Sequence, residues 1–195
     1  MRLHRWSLVG GWAAAAGCAV LPLPGPVVPA PPAPAVVTPA ATAAAPPLSL
    51  PTCDYADFEA RVLERVNHWR LRGAVCGARG RFPPAPPLRW SPALAQAAAG
   101  HALDMAARDS FSHRGAGGSS VSDRVLAAGY AWRRVGENIA AGYTSPAGVV
   151  DGWIASPPHC AALMEPAFVD VGVACAPADP PVRYLTYWTM NLGAR

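Results

Sequence analysis

From residue 20 to residue 51 the chain is built mostly of Pro, Ala, Val and Thr, with no charged and no aromatic side chain. Such a stretch has few large groups to bury, and proline removes the backbone donors that helices and sheets need. It reads as an extended, polyproline-like tether over residues 18–52. Whatever folds must therefore fold from 53–195, which is long enough for one compact core.

The residues ahead of the tether read as an export signal. Arg2, His4 and Arg5 form a positive start, and Ser7 to Gly17 is uncharged and small or apolar. That run is too short and glycine-rich for a membrane span. It ends at Ala15-Ala16-Gly17-Cys18. Small residues before a cysteine resemble a bacterial lipoprotein signal, which makes Cys18 a lipidation site and the mature N-terminus. Cleavage after Ala33-Pro34-Ala35 is the rival reading. The expected product is a cell-envelope lipoprotein or a secreted protein.

With Cys18 lipidated, Cys53, Cys76, Cys160 and Cys175 remain, an even number that suggests two disulfides in an oxidising compartment. Of the three pairings open to them, local closure favours Cys53–Cys76 and Cys160–Cys175. Charge excludes one class of partner. Every basic side chain is Arg, the formal charge is +4, and loss of Arg2 and Arg5 would lower it to +2. No basic stripe forms, so no nucleic-acid partner is expected.

Within 53–195, Phe58, Val62, Val66 and Trp69 share one face of a helix predicted over 54–72, with Asp54 and Asp57 in its first turn. Ser91-Pro92, Ser145-Pro146 and Ser156-Pro157 each announce a helix: serine caps a free N–H, and proline has none to leave unpaired. These signals predict helices over 92–109 and 146–155, and one through His159. Ser120 with Asp123 predicts a short one over 121–128. Residues 77–87 read as a Gly/Pro loop and 136–143 as an extended segment. Residues 168–175 and 183–192 change to the period and composition of strands. The expected class is α+β, with an antiparallel sheet packed between helices.

Short motifs follow one another through this region: Phe111-Ser112-His113; Ser122-Asp123-Arg124 leading to Ala128-Gly129-Tyr130; Gly136-Glu137-Asn138-Ile139-Ala140; Trp153, then Ser156 leading to His159; Val171-Gly172-Val173; and Tyr187-Trp188-Thr189 with Gly193. In this order they resemble the bacterial branch of the CAP superfamily (cysteine-rich secretory proteins, antigen 5 and pathogenesis-related 1 proteins). The resemblance spans about 58–193. It implies a three-layer α-β-α sandwich with a mainly antiparallel central sheet.

It also implies a surface cleft lined by two histidines and one or two glutamates, able to hold a divalent metal. His113, Glu137 and His159 fall on three of those positions. Ser156 stands where many relatives carry the second glutamate, Ala162 where an asparagine is usual, and Met190 where a glutamine is usual. Two imidazoles, one carboxylate and a water could make an open zinc site. The bland alternative is a hydrogen-bonded cluster in which Glu137 orients the histidines. Ser156, His159 and Glu137 also contain the types of a nucleophile, a base and an orienting acid. Against that, Ser156 has a capping role ahead of Pro157, and no nucleophile elbow surrounds it. His101 reads as a buried, hydrogen-bonded core histidine and His68 as a surface or partly buried one. Trp132 and Trp188 are the tryptophans to watch near an apolar cleft.

The resulting expectation is an exported, monomeric, non-catalytic module that binds a lipid, a small molecule or a cell-envelope protein. The alternative is an extracytoplasmic hydrolase, metal-dependent or of the serine type. Fold alone does not transmit function.

Overall fold

The computed structural model describes residues 51–195. The export segment 1–17, Cys18 and the tether up to residue 50 lie outside the described residues.

Helix α1 (Phe58–Arg72) buries Phe58, Val62, Val66 and Arg70. These stand at successive i+4 steps, so one stripe meets the core. The expected start at residue 54 is corrected to 58. Cys53, Asp54 and Asp57 all have positive φ, and Asp57 precedes the helix without capping it through its side chain. The cause is tertiary: Cys175 donates its N–H to Pro51, and Thr52 bridges to Cys175. Those bonds hold the entry segment against the sheet before the helix can begin. Arg70 stands in the last turn, where a cation complements the helix dipole. It is wholly buried and donates to four carbonyls: Pro86 at 2.7 Å, Leu163 at 2.7 Å, Glu165 at 3.1 Å and Phe168 at 3.2 Å. It thus ties α1 to the loop at Pro86 and to the chain from Leu163 to Phe168, where a helix ends and a loop begins.

A hairpin of two-residue strands follows, β1 (Ala74–Val75) with β2 (Arg81–Phe82), and β2 lies inside the 77–87 segment read as loop. Next come β3 (Arg89–Trp90), α2 (Pro92–Arg108) and α3 (Val121–Ala127). Ser91 caps α2 through the Leu94 N–H, and Ser120 and Asp123 cap α3 reciprocally. Then follow β4 (Arg134–Ala141), α4 (Pro146–Ala155), α5 (Pro157–Met164), β5 (Asp170–Pro177) and β6 (Thr186–Ala194).

The main sheet has the order β3-β5-β6-β4. β4 and β5 are both antiparallel to β6, and β3 runs parallel to β5. Alternation sends Val171, Val173, Cys175, Trp188, Met190 and Leu192 to a core shared with α1, α4 and α5. The opposite face, with Gly172, Ala174 and Ala176, packs against the alanine face of α2. The result is a three-layer α-β-α sandwich. With β5 and β6 inside the sheet, β4 is left as a long edge strand.

Both disulfides form, but with the other partners. Cys53 pairs with Cys175 and Cys76 with Cys160, each with Cα atoms 5.4 Å apart. The expected Cys53–Cys76 and Cys160–Cys175 bonds are therefore corrected. Local closure misleads here because Cys53 is laid along β5 by the Thr52 bridge. Cys76 lies in the turn packed on the start of α5, where Gly77 meets the Pro157 ring.

Candidate functional site

Glu137 sits on the α2 side of β4. Its side chain is 2% exposed, which is costly for a carboxylate unless it is paired. It is paired twice. His113 Nδ1 lies 2.8 Å from Oε1, and the Arg124 guanidinium donates to Oε2 at 2.6 Å. Arg124 comes from α3 and also donates to the carbonyls of Ser119 and His113. It therefore fixes the loop that presents His113, whose side chain is 58% exposed. Beneath them His101 is wholly buried, as expected. Its Nε2 is 2.9 Å from the Ser112 carbonyl and 3.8 Å from Glu137 Oε1. Burial pushes the His101 imidazole below its ordinary value, so it supports the loop as a neutral ring.

His159 is carried by α5 on the other face of the sheet, with His113 as a charge neighbour. Asn138, buried on that face, donates to the His159 carbonyl at 3.1 Å and so holds α5 against β4. Burial, and after it the neighbouring charge of His113, push the His159 imidazole below its ordinary value. The sequence-predicted His113 and Glu137 are thus in contact, and His159 is within electrostatic reach. The residue that sequence reasoning missed is Arg124. It stood in the Ser-Asp-Arg landmark, but nothing in the chain marked it as the partner of Glu137.

Both oxygens of Glu137 are engaged, one with His113 and the other with the Arg124 guanidinium. Among the described residues no group of three or more His, Cys, Asp or Glu side chains is placed to hold a metal ion. A serine triad is not assembled either. Glu137 orients His113, and among the described residues no hydrogen bond joins Ser156 to His159. The capping role expected of Ser156 is corrected: its side chain makes no capping bond. Ser91 and Ser145 do cap as read.

Beside the polar cluster lies a cleft of about 290 Å³. Its floor is Ile139 to Ala141 of β4. Phe111 and Tyr184 form one wall, and Tyr143, Trp153, Ser156 and His159 form the other. Tyr143 can lie across α4 because residue 152 is glycine: a Cβ there would overlap the phenol ring. Phe111 and Tyr184 are exposed at the rim, their rings 6.2 Å apart. Trp188 and Trp132 do not line the cleft; Trp188 is fully buried in the same core cluster as Trp153, and Trp153 takes the role expected of them.

The comparisons with known proteins agree with this architecture. The chain is 34% identical over 86 residues to the uncharacterized membrane protein YlbC of Bacillus subtilis, covering 44% of this chain and 25% of that protein. It resembles an extracellular protein containing an SCP domain from Bacillus anthracis, with a TM-score of 0.57 and 26% identity over 70% of this chain and 40% of that one. An outer surface protein of Borrelia burgdorferi shares the fold, with a TM-score of 0.50 and 19% identity over 57% of this chain and 80% of that one. The chain spans only a quarter of the curated relative and two fifths of the first of these structures. The sequence model of the cysteine-rich secretory protein family, CAP, matches residues 63–192. With that match, the sandwich and the His113–Glu137 cluster in hand, the chain belongs to the CAP family.

Proposed function

We propose that this protein works outside the cytoplasm as a non-catalytic binding module, and that its ligand enters the cleft along β4. The observation that carries this reading is the distribution of charge. The Glu137 charge is balanced internally, because it is held between Arg124 and His113. The space beside it is walled mainly by aromatic and small apolar groups, with Ser156 and His159 as its polar handles. Pockets of that make-up recognise ligands by shape and a few hydrogen bonds.

Export is supported by two disulfides that join cysteines far apart in the chain, which persist in oxidising compartments. The Bacillus anthracis relative described as extracellular points the same way. Lipidation at Cys18 would hold the module at a membrane surface through the tether. A second reading rests on the uncommitted Ser156 hydroxyl, which leaves a serine hydrolase as the alternative.

The experiment is a titration of the protein with phenol, indole and cyclohexanol, followed by amide NMR, with a fluorophosphonate probe applied in parallel. We expect shifts at Phe111, Ala141, Tyr143 and Tyr184, retained in a Glu137→Gln variant, and no label on Ser156. Shifts elsewhere only, or stoichiometric labelling of Ser156, would overturn the binding reading.

A further inference from the structure

The floor of the cleft is the free edge of a sheet, and the ladder register fixes which of its groups point outward. Gly142 donates to Thr186, directly opposite it, at 2.9 Å. Antiparallel strands alternate between residues that face the partner and residues that face away. In the β4–β6 register, Ala140, Asn138 and Gly136 therefore bond to β6, whereas Ala141, Ile139 and Glu137 turn both N–H and C=O away from the sheet. An independent contact agrees: the Trp153 indole donates to the Ile139 carbonyl at 3.1 Å from outside the ladder. Glu137 gives a second sign. Its side chain is 2% exposed although the residue as a whole is half-buried, so its exposed surface is main chain. Among the described residues nothing pairs with the N–H and C=O of Ala141 or of Glu137.

Unpaired strand-edge groups recognise peptide backbone. We infer that the cleft binds an extended, uncharged peptide segment of another protein, which pairs with β4 at Ala141. This rests on the binding reading above and narrows its ligand class. One residue of the segment lies opposite Ala141 and exchanges both main-chain hydrogen bonds with it. Its side chain shares the α2 face with Ala141 and meets Phe111 and Tyr184. The residues before and after it point the other way, toward Tyr143, Ser156 and His159.

Charge complementarity selects the occupant, since no Asp, Glu, Lys or Arg lines the cleft. An apolar or aromatic side chain fits the first position and a small polar one the second. Pairing stops at Ile139, where the indole of Trp153 already holds the carbonyl.

The test uses the full chain and a panel of end-capped hexapeptides of Ser, Thr and Gln carrying one Phe, Tyr or Leu. Each is made with its ordinary backbone and with a single N-methyl group at alternate positions. We expect millimolar or tighter binding with shifts of the Ala141 amide. N-methylation at the pairing residue should weaken binding by about tenfold, and at its neighbours hardly at all. Ala141→Pro removes the outward donor while leaving the bonds to β6 intact, a substitution edge strands accept. It should weaken the peptides by a similar factor. Phenol binding without peptide binding, or indifference to the N-methyl position, overturns this inference while sparing the binding reading. Loss of both overturns both. A dimer abolished by Ala141→Pro would seat a second copy on the edge and also overturn it.

Discussion

Glu137 shows how one residue sets the character of the site. A carboxylate this deeply enclosed needs its charge balanced, and Arg124 supplies the balance with its own side chain only 11% exposed. Removing one partner of such a pair leaves an uncompensated charge, which costs about 3 kcal/mol. Arg124→Met should therefore destabilise the fold by that amount in urea unfolding. Glu137→Gln in the same chain should recover most of the loss, because nothing charged is then stranded. A double variant as unstable as Arg124→Met alone would show that Arg124 acts through the Ser119 and His113 carbonyls rather than through the carboxylate. At this scale the sequence was informative where a residue adjoins a local signal. His113 follows a helix end, Glu137 lies in a strand, and His159 follows a Ser-Pro start. Arg124 and Arg70 were illegible because their partners lie on other elements. Arg70 in particular occupies an i+4 position that the pattern assigned to Trp69, and only its four carbonyl partners explain a buried cation there.

At the scale of elements, α2, α3 and α4 were legible from their caps and the disulfides were not. Ser91 and Ser145 bond the third N–H of their helices, as Ser-Pro chemistry requires. β3 was missed because two residues carry no period, and its pairing with β5 is set by the sheet alone. The cysteine pairs span 122 and 84 residues rather than the short loops first expected. Loop-closure entropy then assigns each about 4.5 kcal/mol in the absence of strain. Cys76–Cys160 also has a local duty, since Cys160 adjoins His159 and anchors α5 to the turn after β1. Replacing Cys76 and Cys160 together by alanine should cost roughly 2–5 kcal/mol. It should also speed amide exchange along α5 more than along α2. Uniform acceleration across both helices would mean that the bond stabilises the molecule without positioning the histidine.

At the scale of the whole molecule, the cleft depends on how closely the α2 layer lies on the sheet, because α2 carries His101 and leads directly to Phe111 and His113. The closest approach is at Gly172 of β5. A Cβ there would run into the backbone of Leu94 and Ala95, with the Ala95 Cα at 2.7 Å. No rotamer change relieves a clash with main chain, so the helix itself would have to lift. Val171-Gly172-Val173 was recognisable as a motif, and this contact is the physical reason for its glycine. Gly172→Ala should cost more than about 3 kcal/mol, at or beyond the upper end of ordinary overpacking. It should also shift the amides of 111–113 even though they lie far along the chain. Gly100 supplies the contrast within the same helix. Nothing lies within 4 Å of its would-be Cβ and its backbone is helical, so Gly100→Ala should stabilise by about 0.5–1 kcal/mol. Both variants are read by urea unfolding and by the amide shifts of 111–113. If Gly172→Ala disturbed stability but left the loop at His113 unmoved, α2 could tilt without carrying the site. The cleft would then be held by the Arg124 bonds alone.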